Sequence, residues 1–280
     1  MTEPSRHAEP SPAKDAGHGD LVGIERPEHG VAVLTLAQPQ TRNSLSLAMI
    51  EALRVGLATL SADTAVSAIV LAAQGSVFCA GHDLKELTSH RADADAGRAF
   101  YRQTMQRCAT LMQEIVACPK PVIAAVQGTA TAAGCQLVAT CDLAIAAESA
   151  LFCTPGVNIG LFCSTPMVGL SRNVPRKRAM ELLLLGEMLP AEEAAAWGLV
   201  NRVVAREDVL TEALAMARKI AAKPAATVAV GKRAFYTQVE QPLAEAYDFA
   251  ADVMVQNMLH ADAEEGISAF IEKRTPQWNA

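Results

Sequence analysis

The feature that most restricts how this chain can fold is a strand that runs into a helix through a turn of small residues. Residues 121–126 form an apolar run with β-branched Val and Ile, typical of a buried strand. Small residues follow, and helical spacing begins at Ala132, with Leu137 and Val138 as the first bulky apolar side chains. Such a junction lets another backbone or a ligand come close and leaves the first helical N–H groups free. It is therefore either a tight packing turn or a site for an oxygen that gains negative charge, and a second stretch is needed to choose.

Strands and helices alternate up to about residue 205, and only helices follow. Apolar, β-branched runs predict strands at residues 31–36, 67–72, 121–126, 142–147 and 199–204. Helical spacing predicts helices at 46–60, 92–117, 176–185, 191–197, 206–221, 225–239, 241–260 and 262–273. The first of these has Ser46 as its cap and an apolar face of Ile50, Leu53, Leu57 and Leu60. We therefore predict an α/β core over residues 19–205, a helical region over 206–280 and a disordered tail over 1–18.

Charge and cysteine usage exclude several classes of function. The net charge of −6 gives no sign of a nucleic-acid-binding surface, and no apolar run approaches the ~18 residues that a membrane span needs. The seven cysteines form no Cys-x-x-Cys pair, which disfavours a metal site and favours reduced thiols. Residues 1–18 contain no apolar signal segment and carry Glu3, Glu9 and Asp15, which argues against a transit peptide. These features predict a cytoplasmic protein of bacterial type.

Five short motifs, in a fixed order, resemble those of the crotonase superfamily, also called the enoyl-CoA hydratase/isomerase family. They are residues 43–45 (Asn-Ser-Leu), 78–86, Gly128 with 132–137 and 141–142 (Cys-Asp), 197–204 and 270–274. The resemblance covers about residues 20–278 and implies an α/β spiral, a ββα superhelix of two roughly perpendicular sheets. It also implies that the C-terminal helices, with Ile267, Phe270 and Ile271 on one face, build a homotrimer or a hexamer. The run 154–166 further resembles one particular subgroup of the family.

The resemblance implies a site for the thioester carbonyl of an acyl-CoA, with coenzyme A as part of the substrate and no separate cofactor. The family binds that carbonyl with two backbone N–H groups, which correspond to His82 and Ala133 in this chain. Two such donors suit the charge of a thioester enolate. Asp83 and Lys85 are either coenzyme A contacts or solvated surface charges. The positions implied to contact substrate or coenzyme A are Arg42, Ser44, Ala80, His82, Asp83 and Leu84.

The chain departs from the family at the two acids that activate water in its hydratases. The motifs place Gln136 where the first glutamate is expected and Gly156 where the second is expected. An amide has no useful pKa and glycine offers only its backbone, so ordinary hydratase activity is doubtful. Three replacements stay open: the His82 imidazole, the side chains of Cys163 and Ser164, and a space beside Gly156 for an external anion such as bicarbonate. Cys163 and Ser164 are otherwise pocket lining or a helix cap.

The sequence therefore predicts an acyl-CoA-binding enzyme of the lyase or isomerase class, in fatty acid metabolism, that stabilises a thioester oxyanion. One alternative is a non-catalytic acyl-CoA-binding or regulatory protein that has kept the pocket. The other is a thioester hydrolase that uses His82.

Overall fold

The computed structural model describes residues 21–278, which form ten strands and eleven α-helices. The strands are β1 (Val22–Glu28), β2 (Gly30–Leu36), β3 (Val66–Ala73), β4 (Val77–Cys79), β5 (Val122–Val126), β6 (Thr129–Thr131), β7 (Leu143–Ala147), β8 (Leu151–Cys153), β9 (Leu189–Pro190) and β10 (Arg202–Val204). The helices are α1 (Leu47–Ala62), α2 (Leu84–Ser89), α3 (Arg98–Ala117), α4 (Ala133–Thr140), α5 (Pro166–Asn173), α6 (Arg176–Leu185), α7 (Ala191–Ala196), α8 (Val209–Ala221), α9 (Ala225–Gln238), α10 (Leu243–Met258) and α11 (Ala261–Glu272). The predicted tail at 1–18 lies outside the described residues.

The chain alternates between two sheets and adds strands to each in turn. The six-stranded sheet has the order β1-β2-β3-β5-β7-β10, and the four-stranded sheet has the order β4-β6-β8-β9. The pairs β3–β4, β5–β6 and β7–β8 each supply one strand to the large sheet and the next to the small sheet. Pairing is parallel except at β1–β2 and β8–β9. This confirms the predicted α/β spiral with two sheets.

The core lies between the large sheet and the helices that cover it. All five residues of β5 are buried, as are most of β2, which is the pattern of a parallel sheet covered on both faces. Helix α1 begins as predicted, because the Ser46 hydroxyl accepts a hydrogen bond from the Met49 N–H. Its predicted apolar face is confirmed, since Ile50, Leu53, Leu57 and Leu60 are all buried.

The predicted long helix at 92–117 is shorter in the structure and begins at Arg98. Ala96 and Gly97 both have a positive φ, which a right-handed helix does not accommodate. Helix α2 precedes them and was not predicted. The strands of the small sheet were also absent from the pattern-based prediction, because runs of two or three residues are too short to show a period.

The C-terminal helices are attached to the core through α8 and α9. Helix α8 packs on the large sheet with Val209, Ala213 and Ala217 buried. Helix α9 carries Lys232, whose buried ammonium group lies 2.6 Å from the Asp142 carboxylate. Oligomerisation through residues 206–280 stays a prediction. Within the described residues, no helix is long and apolar enough to cross a membrane.

Candidate active site

The end of β4 lies directly against the beginning of α4. A Cβ atom at Gly134 would lie 2.2 Å from the carbonyl oxygen of Cys79, so no residue but glycine fits there without moving the backbone. A Cβ atom at Gly81 would lie 3.3 Å from the backbone nitrogen of Ala133. The turn at Gly81 and His82 is therefore adjacent to the first residue of α4. The small-residue junction is thus a close backbone approach, and it brings the two predicted donor residues together.

Hydrogen bonds to Leu45 determine where the His82 N–H points. The Leu45 N–H donates to the Gly81 carbonyl at 2.8 Å, and the Asp83 N–H donates to the Leu45 carbonyl at 3.3 Å. Leu45 thus bonds to the two neighbours of His82, with which it forms a single parallel bridge. Since successive backbone groups of an extended segment point to opposite sides, the His82 N–H points away from Leu45. That is the side on which β4 pairs with β6, the strand that leads into α4.

The Ala133 N–H is free because Ala133 is the first residue of its helix. Ala132 precedes it with φ 51° and ψ −118°, a strained conformation for a residue with a side chain, and provides no side-chain cap. Among the described residues, no hydrogen bond engages the N–H of either His82 or Ala133. Two free donors beside a helix N-terminus are chemically suited to an oxyanion. Their assignment as the oxyanion site stays a prediction.

The structure brings most of the predicted coenzyme A contacts together beside this turn. The Ala80 N–H donates to the Arg42 carbonyl at 3.0 Å, and the Ser44 hydroxyl lies 3.2 Å from an Asp83 carboxylate oxygen. Leu84 lies at the start of α2 and is exposed. Their contact with coenzyme A stays a prediction.

Asp83 has a structural role that explains its presence without any ligand. One of its carboxylate oxygens accepts hydrogen bonds from the Lys85 N–H at 2.9 Å and the Glu86 N–H at 3.1 Å, which caps α2. The other oxygen is the one near Ser44. Both oxygens therefore have partners within the protein.

Asn43, which the sequence indicated only as part of the 43–45 motif, holds the loop beside the site. Its side chain is fully buried, accepts a hydrogen bond from the Gln38 N–H and donates to the carbonyls of Gln74 and Val77, each at 2.9 Å. Asn43 also has φ 52°, and Asn is enriched among non-glycine residues with positive φ. A polar loop that contains Asn is the signal that could have indicated this clamp.

Gln136 lies one helical turn beyond Ala133 on the same face of α4. Its side chain is buried, and its Oε1 atom has no hydrogen-bond partner among the described residues. The position predicted to carry an acid therefore carries a buried neutral amide.

The position of the second expected acid, Gly156, has no room for a side chain. A Cβ atom there would lie 2.9 Å from both the Cys163 sulfur and the Leu161 carbonyl oxygen. The thiol and the carbonyl occupy the space into which a side chain would extend. The hypothesis of a space for bicarbonate beside Gly156 stays a prediction. Cys163 is itself buried, whereas Ser164 is exposed and its hydroxyl donates to the Phe162 carbonyl.

Burial favours the neutral forms of the titratable side chains His82, Cys153 and Cys163. Burial lowers the pKa of the His82 imidazole, and its hydrogen bond to the Leu45 carbonyl only partly opposes that effect. The carbonyl can only accept, so the Nδ1 atom carries the proton and the buried Nε2 atom is unpartnered. Burial raises the pKa of the Cys163 thiol and raises that of Cys153 to about 11. Among the described residues, no cluster of His, Cys, Asp or Glu could hold a metal ion.

The fold and the site together define a class of protein: an α/β spiral with two backbone donors at the junction of a short strand and a helix. Comparison with known sequences identifies the family. A sequence model described as enoyl-CoA hydratase/isomerase matches residues 26–280, and the chain belongs to this family. The relatives include enoyl-CoA hydratase domain-containing protein 3, mitochondrial, of Rattus norvegicus. It is 46% identical over 254 residues, which cover 91% of this chain and 83% of that protein.

Solved structures agree with this assignment. An enoyl-CoA hydratase of Mycobacterium smegmatis is 51% identical and superimposes with a TM-score of 0.88 over 93% of this chain and 99% of its own. Human enoyl-CoA hydratase domain-containing protein 3 is 44% identical, with a TM-score of 0.87 over 92% of this chain and 100% of its own. The run 154–166 indicated a resemblance to one subgroup of the family, enoyl-CoA hydratase domain-containing protein 3. The comparisons confirm this resemblance.

The prediction of a cytoplasmic protein of bacterial type is contradicted by these comparisons. Five relatives at 43–46% identity are named as mitochondrial proteins. The prediction depended on charges within residues 1–18, which lie outside the described residues. A targeting segment is recognised by a receptor and does not pack against the fold. The folded part of the chain therefore does not indicate the compartment.

Proposed function

We propose that this protein binds acyl-CoA thioesters and polarises the thioester carbonyl with the backbone N–H groups of His82 and Ala133. The observation that carries the proposal is that two unengaged donors lie in backbone segments that approach each other at Gly81 and Ala133, one of them at a helix N-terminus. Membership of the enoyl-CoA hydratase/isomerase family supports the choice of ligand. Removal of one donor of this kind from an enzyme typically costs ~3–4 kcal/mol in the transition state.

The reaction is other than fast addition of water, and the class is lyase or isomerase in fatty acid metabolism. Hydration needs a group that takes a proton from water and a group that gives one to the α-carbon. Gln136 does neither, and Gly156 has no side chain and no space for one. Crotonyl-CoA hydration is therefore expected to be far slower than the ~10 s⁻¹ of a typical enzyme. A turnover near that value would contradict the role given to the two replacements.

A ligand that lacks only the carbonyl oxygen tests the proposed donors without altering the protein. Calorimetry compares butyryl-CoA with S-butyl-CoA, the thioether in which a methylene replaces the carbonyl. We expect the thioester to bind at least about tenfold more tightly, since two hydrogen bonds are lost in the thioether. Infrared spectroscopy of carbon-13-labelled butyryl-CoA should show the carbonyl stretch at lower frequency when bound. Equal affinities and an unshifted stretch would contradict the proposal.

Mass spectrometry of a panel of acyl-CoAs separates the enzyme from its two alternatives. New product masses support an enzyme, and binding without product across the panel supports a non-catalytic or regulatory acyl-CoA binder. Release of free coenzyme A that disappears in His82→Ala supports a thioester hydrolase. The unpartnered Nε2 atom of His82 is the observation that keeps this last candidate under test.

A further inference from the structure

Two buried side-chain atoms near the proposed site have no hydrogen-bond partner among the described residues, namely His82 Nε2 and Gln136 Oε1, and the second belongs to an amide that can both donate and accept. Gln136 is only 4% exposed, yet its Oε1 atom has no hydrogen-bond partner among the described residues. A buried polar group without a partner destabilises a fold, and most native buried polar atoms are satisfied. The described residues offer this oxygen no partner, and a water molecule or a ligand can supply one.

The geometry of α4 directs this amide towards the proposed carbonyl site. Side chains on a helix lean towards its N-terminus, so the Gln136 side chain extends over the turn that begins with Ala133. The two residues are three positions apart, about 4.5 Å along the axis. If the thioester carbonyl is bound beside Ala133, the carbons next to it would lie near the Gln136 amide. The distal part of the acyl chain would lie further away.

One hydroxyl and two thiols on or near α4 do not compete for the amide and add no charge. The Thr140 hydroxyl, one turn further along α4, donates to the backbone carbonyl of Gln136 at 2.8 Å. The thiols of Cys135 and Cys163 have a raised pKa because of burial, so they are uncharged at neutral pH. A carboxylate on the acyl group would thus be buried without a counter-ion, which is strongly unfavourable. A hydroxyl group can donate to Oε1 and accept from Nε2, and it carries no charge.

We propose that Gln136 determines specificity. It selects acyl-CoA thioesters that carry a hydroxyl on a carbon close to the carbonyl, and it discriminates against those that carry a carboxylate there. This inference depends on the proposed function, since the ligand must first bind at the N–H groups of His82 and Ala133. The hydroxyl of the ligand replaces the water that would otherwise lie beside the Gln136 amide.

Calorimetry with four defined probes tests the inference: butyryl-CoA, the two enantiomers of 3-hydroxybutyryl-CoA, and malonyl-CoA. One enantiomer should bind the wild-type protein about tenfold more tightly than butyryl-CoA, the ratio that one additional hydrogen bond provides. Malonyl-CoA should bind more weakly than butyryl-CoA. In Gln136→Met, which keeps length without hydrogen bonding, the hydroxyl preference should fall below about twofold.

Thr140→Val is the matched control on the same helix. Valine has nearly the shape of threonine, and the lost hydroxyl bonds only to a backbone carbonyl. The variant should therefore keep the wild-type ratio of affinities for 3-hydroxybutyryl-CoA and butyryl-CoA. Thermal melting of both variants establishes that they are folded. If the wild-type protein binds both enantiomers no better than butyryl-CoA, or if Gln136→Met keeps the preference, the inference is overturned. If none of the four probes binds, the proposed function itself has failed.

Discussion

At the scale of single residues, the loss of an acid at position 156 is also a change in packing. The Cys163 thiol and the Leu161 carbonyl lie where the first carbon of a side chain would be. Restoring a glutamate at 156 therefore requires that the 161–163 segment moves. The residue tolerated at position 156 therefore depends on where Cys163 lies, which an inspection of position 156 alone would not reveal.

Substitution of Gly156 by alanine should destabilise the protein. The added methyl group overlaps a sulfur and a backbone oxygen at 2.9 Å, and overpacking of this kind typically costs about 1–3 kcal/mol in the free energy of unfolding. Gly231→Ala is the matched control, because it lies inside α9 with no atom within 4 Å of the added carbon. It should stabilise the helix by about 0.5–1 kcal/mol. Urea denaturation measures both, and a Gly156→Ala variant as stable as the wild type would refute the packing argument.

The His82 imidazole should contribute to the pH dependence of stability. Its pKa is lowered in the folded protein, so as the pH decreases through the unfolded value of ~6.5 the unfolded chain binds more protons and the protein becomes less stable. His82→Asn, which can still donate to the Leu45 carbonyl, should lose less stability between pH 7.5 and pH 5. The difference in slope is at most ~1.4 kcal/mol per pH unit, the limit for one proton.

Urea denaturation at several pH values measures this slope. His29→Asn changes an exposed histidine and serves as the control, with the slope of the wild type expected. If the slopes of His82→Asn and wild type are equal, the imidazole is not the group responsible.

At the scale of secondary-structure elements, a buried polar cluster attaches α9 to the core. The Lys232 ammonium group donates to Asp142 and to the carbonyls of Ile115 at 3.0 Å and Lys120 at 3.1 Å. The Asp142 carboxylate also accepts from the Tyr236 hydroxyl at 2.9 Å. Because Asp142 directly follows the α4 segment, this cluster connects the C-terminal helices to the region of the proposed site.

Lys232→Met should therefore be strongly destabilising. It leaves a buried carboxylate without its cation, a change that typically costs about 3–5 kcal/mol in the free energy of unfolding. Arg172→Ala breaks an exposed ion pair with Glu240 and should cost less than about 1 kcal/mol. Urea denaturation at one protein concentration compares them, since assembly would also affect stability. Equal losses in the two variants would show that burial of the Lys232 pair is irrelevant.

At the scale of the whole molecule, the C-terminal helices expose more apolar surface than a single folded chain needs. Large side chains that are more than half exposed lie on α9, α10 and α11, namely Phe235, Leu243, Tyr247, Met254, Val255, Met258, Phe270 and Ile271. Contiguous apolar surface of this kind usually marks an interface. It supports the prediction of a homotrimer or hexamer.

Light scattering after size exclusion should give a mass of three or six times 29.6 kDa. Phe270→Asp places a charge at a residue that is 85% exposed in the single chain, and it should shift the mass towards one chain. Val55→Asp makes the same change at an exposed apolar residue of α1, outside the C-terminal helices, and should leave the mass unchanged. A single-chain mass for the wild type would contradict the prediction.

Local signals predicted the elements whose information lies within one short stretch of chain. The Ser46 cap, the apolar face of α1 and the buried strands β2, β3 and β5 all follow from neighbouring residues. Helix α3 was predicted too long because the positive φ at Ala96 comes from its surroundings and not from its residue type. The small sheet was not predicted from periodicity, because its strands have two or three residues each.

The family, the order of the motifs and the replacement of both expected acids can be read from the residues alone, because residue identity and spacing carry this information directly. Three other features required the folded structure: Gly81 lies against Ala133, Cys163 fills the place beside Gly156, and the Gln136 Oε1 atom is buried without a partner among the described residues. The reason is that each of these depends on segments far apart in the chain. The side of a strand to which an N–H points, and the space left beside a glycine, are set by packing between such segments.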